Sequence, residues 1–294
     1  LKLCDLFEKG KFVVTGEAAP PKGTNTAKML SEAAPLKDMV DAVNITDNQS
    51  AVVKMGSLAA SRCLKDNGIE PVYQLTCRDR NRLAIQSDLL SAAALGIENV
   101  LCLTGDHVSL GDHPHAKAVY DLDSVQLLKI ASGLNHGKDS SGNELDGSTD
   151  FCLGAVVSPC TEPVEMQVIK LEKKIEAGAC FIQTQAVYDT RLLEDFMNRL
   201  ARRNITVPVM VGIVFIKSAS MANYMNKNVA GIEVPETIIK EFENTPGDGL
   251  KAKSLEITIG LVNAYKDMCQ GIHFMPLGWT DMVPEVLKST GLRP

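Results

Sequence analysis

The stretch Lys11-Phe12-Val13-Val14-Thr15-Gly16-Glu17 is a short apolar run ending in polar residues, the first of eight such runs in a chain of 294 residues. Its β-branched residues favour extended backbone, where their side chains pack on a pleated surface. The later runs are Val40–Thr46, Glu70–Cys77, Asn99–Asp106, Phe151–Ser158, Cys180–Gln185, Pro208–Val214 and Gly271–Met275. Starts at 11, 40, 70 and 99 lie 29, 30 and 29 residues apart, and starts at 151, 180 and 208 lie 29 and 28 apart. That interval holds one strand plus one helix. Eight alternating units pair in parallel through right-handed crossovers and close on themselves. The predicted fold class is α/β, a (β/α)8 TIM barrel, with residues 1–294 forming a single domain. An open doubly wound sheet is disfavoured, because neither GxGxxG nor GxxxxGK[ST] follows the first run.

Helical periodicity fills the gaps between strands. Val52, Met55, Ala59 and Cys63 share one face before Gly68, and Leu192, Leu193, Phe196, Met197 and Leu200 form a second stripe before Asn204. Two intervals are long, 52 residues from the fourth strand to the fifth and 63 from the seventh to the eighth, so insertions are expected after strands 4 and 7. The first contains Gly133–Asp150, rich in Gly, Ser, Asn and Asp, and reads as a solvated surface loop, with a mobile lid as the alternative. The second contains Pro235, Pro246 and Gly247, which bracket helices expected at Glu236–Asn244 and Leu250–Met268.

Composition narrows the partners. The net charge of −6 gives no electrostatic reason to expect a polyanion, and 5% aromatic residues with the single Trp279 argue against single-strand stacking surfaces. No nucleic acid is expected. No apolar run reaches the roughly 18 residues of a membrane span. Leu1–Phe12, with Asp5, Glu8 and three lysines, lacks the apolar core of a secretion signal, so a cytoplasmic protein is expected. The eight cysteines include no CxxC pair and read as reduced thiols packed as small hydrophobes. No metal site and no iron–sulfur cluster is expected on this chain.

In such a barrel the active site lies at the C-terminal ends of the strands. Glu17 ends the first strand among small residues, where a carboxyl in a partly apolar pocket can hold a proton and act as a general acid. The alternative is an ion pair with a rim lysine. Strand four ends Leu103-Thr104-Gly105-Asp106; Asp106 reads either as an acceptor for a polar heterocycle or as a turn cap. Thr46, Asp47, Gln74, Thr76, Arg78, Gln183, Thr184 and Gln185 add amides, hydroxyls and charges to the same mouth. This lining suits a pterin or a flavin ring. The five histidines offer no HExxH spacing, and a serine triad has no GxSxG support.

Three segments carry a family resemblance: Val14-Thr15-Gly16-Glu17-Ala18-Ala19-Pro20-Pro21-Lys22-Gly23-Thr24, Leu103-Thr104-Gly105-Asp106, and Glu176-Ala177-Gly178-Ala179-Cys180-Phe181-Ile182-Gln183-Thr184-Gln185. Together they resemble the methylenetetrahydrofolate reductase family, in order over essentially the whole chain and more weakly after residue 215. The chain looks most like the short, barrel-only reductases of anaerobic bacteria. The resemblance implies a (β/α)8 barrel with a non-covalent flavin at its mouth and folate stacked on the flavin. Glu17 matches the family's general acid, Asp106 an aspartate near flavin and pterin, and Gln185 a glutamine that contacts the pterin. Thr46, Gln74, Thr104, Gly105, Asp106, Tyr120, Asp121 and Lys174 fall at cofactor positions, while Asp123 reads as a helix cap or a further contact. Thr104 stands where many relatives have arginine, Gln74 where they have histidine, and Ser158 where they have tyrosine. Loss of the arginine removes a five-donor cation, so FMN competes with the FAD that the resemblance implies.

The implied activity is flavin-dependent reduction of methylenetetrahydrofolate to methyltetrahydrofolate. Competing readings are a flavin-free pterin-binding methyltransferase on the same barrel and a non-catalytic subunit of a redox assembly. Relatives take hydride from a nicotinamide or electrons from a small zinc and iron–sulfur partner subunit; the resemblance favours the second, within an oligomer. Arg78, Lys174 and Lys217 are candidate cations for an anionic ligand at the mouth.

Overall fold

A computed structural model describes residues 1–294. Its strands are β1 (Val13–Ala18), β2 (Ala42–Ile45), β3 (Pro71–Thr76), β4 (Asn99–Leu103), β5 (Cys152–Val157), β6 (Phe181–Ala186), β7 (Val209–Val214) and β8 (Gly271–Met275). They form one closed barrel in chain order, with every neighbouring pair parallel and β8 returning to β1. The helices are α1 (Leu3–Glu8), α2 (Ala27–Ala33), α3 (Ser57–Asp66), α4 (Arg82–Ala94), α5 (Ser124–Asn135), α6 (Val164–Glu176), α7 (Thr190–Arg202), α8 (Ala219–Asn228), α9 (Glu236–Glu243), α10 (Leu250–Tyr265) and α11 (Met282–Ser289). None is long and apolar enough to cross a membrane.

Each expected strand is present. The fourth stops at Leu103, short of the expected Asp106, because Gly105 turns out of extended backbone with φ +91°. The expected face of α3 is corrected. Ser50 and Ala51 have positive φ and Val52 is extended, so the helix begins only at Ser57. It buries Ser57, Ala60, Ser61 and Leu64 and leaves Ala59 exposed. The α7 stripe is as expected, with Leu193, Phe196 and Leu200 buried. In the second insertion α9 and α10 occupy the expected segments, and α8 precedes them. In the first, Gly133–Asn135 completes α5, and a turn-rich segment with one isolated bridge, Lys138 to Glu144, leads to β5.

Alternate strand residues point inward, and they sort by height. At the end of the barrel where the strands begin, α1 lays Leu3 and Leu6 over Val13, Ala42, Val72, Leu101, Cys152, Phe181 and Met210. A Cβ at Gly154 would lie 2.3 Å from the Phe181 ring, so glycine makes room for it. The next layer is polar. Asn44 Nδ2 donates to Gln183 Oε1 at 2.7 Å, Gln183 Nε2 donates to Asn44 Oδ1 at 3.3 Å and Thr15 Oγ1 at 3.4 Å, and Thr15 Oγ1 meets His273 Nδ1 at 2.9 Å. At the seam, buried Asp41 accepts from the Val14 N–H at 2.8 Å and from Arg293 at 2.7 Å, and also pairs with Lys11.

The expectation of reduced thiols is corrected for two cysteines, and three of them cluster. Cys4 and Cys152 are joined by a disulfide with Cα atoms 5.8 Å apart, and Cys180 Sγ lies 2.7 Å from Cys4 Sγ. Barrel closure and the fold-back of α1 bring together residues that spacing keeps 148 and 176 apart. Cys77, Cys102 and Cys269 are buried in apolar surroundings as expected, and burial pushes the Cys77 thiol up to about 12.

Candidate active site

The C-terminal strand ends enclose a cavity of about 370 Å³ above the polar layer. Glu17 enters it from β1, with its side chain only 10% exposed and Oε2 3.8 Å from His273 Nε2. The Thr15 contact fixes the imidazole so that its other nitrogen faces the carboxyl group. Asp106 reaches the cavity from the loop after β4. Its Oδ2 accepts from the Ser50 N–H at 2.9 Å, and its carbonyl accepts from Arg78 Nη1 at 3.2 Å. Gln185 lies on β6 where the pairing with β7 slips between Gln183 and Ala186. That irregularity turns Thr184 and Gln185 toward the cavity together. Gln185 Oε1 accepts from the Ala186 N–H at 3.0 Å, leaving its NH₂ group free to donate.

Of the expected cofactor residues, Gln74, Thr104, Gly105, Asp106 and Lys174 line this cavity. Ser158, another departure from the family pattern, lines it too. Thr46 is buried just behind, and its Oγ1 has no hydrogen-bond partner. Tyr120 and Asp121 stand outside the lining. The Tyr120 hydroxyl donates to the carbonyls of Gly105 at 3.2 Å and Asp106 at 3.0 Å, bracing the loop that presents Asp106. Asp121 takes both Arg82 Nε and Nη2 at 2.9 Å, and this guanidinium holds its carboxyl down at about 2. Asp123 caps α5, with Gln126 completing the reciprocal box.

Sequence reasoning missed the role of His273, which no motif marks, and the anchoring role of Asp47. The buried Asp47 Oδ2 accepts from the Thr76 N–H and hydroxyl at 2.9 and 2.8 Å and from Arg80 at 2.7 Å. Its position directly after a strand was the available signal. The arginines are committed: Arg78 to Asp79, Arg80 to Asp47 and Asp88, Arg82 to Asp121. Lys174 has only the Val156 carbonyl, at 2.7 Å, and desolvation lowers its pKa. Lys217 lies outside the lining, with its ammonium 5.0 Å above the Trp279 ring.

The model of a family described as methylenetetrahydrofolate reductase matches residues 2–291. A probable methylenetetrahydrofolate reductase (NADPH) of Caenorhabditis elegans is 24% identical over 83% of this chain and 36% of its own length. Methylenetetrahydrofolate reductase 2 of Schizosaccharomyces pombe is 26% identical over 99% of this chain and 48% of its own. The chain thus spans less than half the length of these two relatives. A 5,10-methylenetetrahydrofolate reductase of Buchnera aphidicola is 22% identical, with 96% of this chain and 93% of that protein covered. Among solved structures, an uncharacterized protein from Clostridium thermocellum, described as binding two copies of 5-methyl-5,6,7,8-tetrahydrofolic acid, shares the fold. Its TM-score is 0.68 at 17% identity, with 99% of each chain covered. With the family model matched from one end of the barrel to the other, the chain belongs to the methylenetetrahydrofolate reductase family.

Proposed function

We propose that this protein reduces 5,10-methylenetetrahydrofolate to 5-methyltetrahydrofolate with a non-covalent flavin, and that Glu17 is the general acid. The observation that carries the reading is the convergence of Glu17, Asp106 and Gln185 from three strand ends on one cavity, in a chain of this family. The lining fits a flavin. Gln74, Thr104 and Lys174 offer donors and acceptors, and the Thr46 hydroxyl is left without a partner behind them. When bound, flavin supplies the hydride for the one-carbon unit.

The chain's own residues handle protons and position. Glu17 donates a proton to a nitrogen of the substrate's five-membered ring and so promotes its opening to the electrophilic iminium. His273, pinned by Thr15, faces that carboxyl from below at 3.8 Å. Asp106 accepts hydrogen bonds from the amino and N–H groups of the pterin, and Gln185 donates through its free NH₂ group. Proton donation of this kind contributes about 10²–10⁴-fold. Glu17→Gln therefore lowers folate turnover by about that factor while the flavin absorbance stays; turnover within a few-fold of wild type removes Glu17 from the role.

The reading extends to the electron source and the flavin. The resemblance to short barrel-only reductases favours electrons from a small zinc and iron–sulfur partner subunit, and rapid bleaching of the isolated chain's flavin by NADH overturns this. The commitment of three arginines to carboxylates leaves few cations for a diphosphate and favours FMN over FAD; mass spectrometry of the released flavin decides.

A further inference from the structure

We propose that Cys4, Cys152 and Cys180 form a thiolate site for one zinc ion at the end of the barrel opposite the cavity. The proposal is independent of the reading of the folate site. The three sulfurs lie within 4.8 Å of one another and come from three separate elements. Cys152 opens β5, and Cys180 immediately precedes β6; the Cys180 N–H donates to the Leu153 carbonyl at 2.8 Å, so strand pairing sets these side chains together. Helix α1 brings the third. Its Leu3 is fully buried and donates through its N–H to Asn99 Oδ1 at 2.8 Å, which fixes Cys4 over the two strand ends.

Two sulfurs already accept backbone hydrogen bonds, Cys152 from the Cys4 N–H at 3.1 Å and Cys180 from the Leu153 N–H at 3.2 Å. The Cys180 S–H also meets the Leu153 carbonyl at 3.2 Å, and a metal takes that proton's place. Thiolates about 2.3 Å from a tetrahedral zinc stand about 3.8 Å apart. Cys152 and Cys180 are 3.9 Å apart already, and Cys4 Sγ, bonded to Cys152 and 2.7 Å from Cys180, moves outward once that bond opens. Sulfurs this close surround a single ion and leave no room for the core of an iron–sulfur cluster. A soft all-sulfur set selects zinc over magnesium, calcium or manganese. Cys4 and Cys180 are only half-buried, which gives the ion an entry and solvent a fourth position.

The Cys4–Cys152 bond is the oxidised, metal-free arrangement of the same groups. A dithiol opens it: two S–H bonds of the reductant break, the reductant leaves as a disulfide, and Cys4 and Cys152 gain two electrons and two protons. Zinc then forms three Zn–S bonds as three protons pass to solvent.

The test uses the full chain, reduced with dithiothreitol and desalted under argon. Cobalt(II) should give thiolate-to-metal charge-transfer absorption that saturates at one equivalent and is bleached by one equivalent of zinc. Zinc should slow iodoacetamide labelling of Cys4 and Cys180 at least ten-fold, read by peptide mass spectrometry, and leave Cys63 and Cys160 unchanged. Cys180→Ala should lose the cobalt band. No band, a band that survives Cys180→Ala, or no protection of Cys180 in the wild-type chain overturns the proposal. The labelling needs no variant, so a misfolded mutant cannot obscure the answer.

Discussion

Gly105 shows how one residue without a side chain sets the position of another with one. Its φ is +91°, and a Cβ there would lie 3.0 Å from Thr76 Cβ and 3.2 Å from Arg78 Cβ. Gly105→Ala should cost about 1–3 kcal/mol in left-handed strain and wall contact. It should also displace Asp106, so the KM for folate rises together with a fall in the unfolding midpoint; an unchanged KM detaches Asp106 from substrate. Lys174 gives a pH signature. Burial lowers its folded pKa below the usual 10.5, so between the two values the unfolded chain holds more protons and stability rises with pH. Lys174→Met should flatten the rise in thermal midpoint from neutral to alkaline pH; a retained slope assigns the rise to other groups. At this scale the mouth was largely legible, because an inward-pointing strand residue near the C-terminal end has only one place to go. Tyr120 and Asp121 were not. Whether a side chain reaches the cavity or bonds a neighbouring loop depends on Arg82 and the Gly105 carbonyl, which lie far from them in sequence.

The strands were readable because each is short, apolar and separated from the next by one helix length. A parallel strand buried on both faces leaves a continuous run that survives small errors of boundary. Helix α3 was misread because Val52 and Met55 continue an apolar period that the backbone has already broken at Ser50 and Ala51. Periodicity reports side chains, and a left-handed turn is invisible to it when the residues are not glycine. The seam between the first and last elements depends on Asp41, which ties the Val14 N–H to Lys11 and Arg293. Asp41→Ala leaves a buried N–H and two cations without their acceptor and should destabilise by about 2–4 kcal/mol. Denaturant unfolding measures this, and a loss under about 0.5 kcal/mol would mark the cluster as an exposed-type pair.

Closure into a barrel makes distant residues neighbours, and the cysteines are where sequence spacing said least. Joining Cys4 to Cys152 closes a loop of 148 residues. In the chain-entropy account such a loop is worth about 5 kcal/mol, so metal-free reduction should lower the unfolding midpoint, as calorimetry with and without dithiothreitol will show. Equal midpoints would mean that α1 is held by its apolar face alone. Between this end and the cavity at the strand C-termini lies the layer of Thr15, Asn44, Gln183 and His273. Across the six residues of β5 the two ends stand roughly 17 Å apart. The layer touches both ends: Gln183 Nε2 lies 4.0 Å from Met210 Sδ below it, and His273 Nε2 lies 3.8 Å from Glu17 above it. Rebuilding the thiol end should therefore leave the pH profile at the cavity unchanged only while this middle tier keeps its hydrogen bonds.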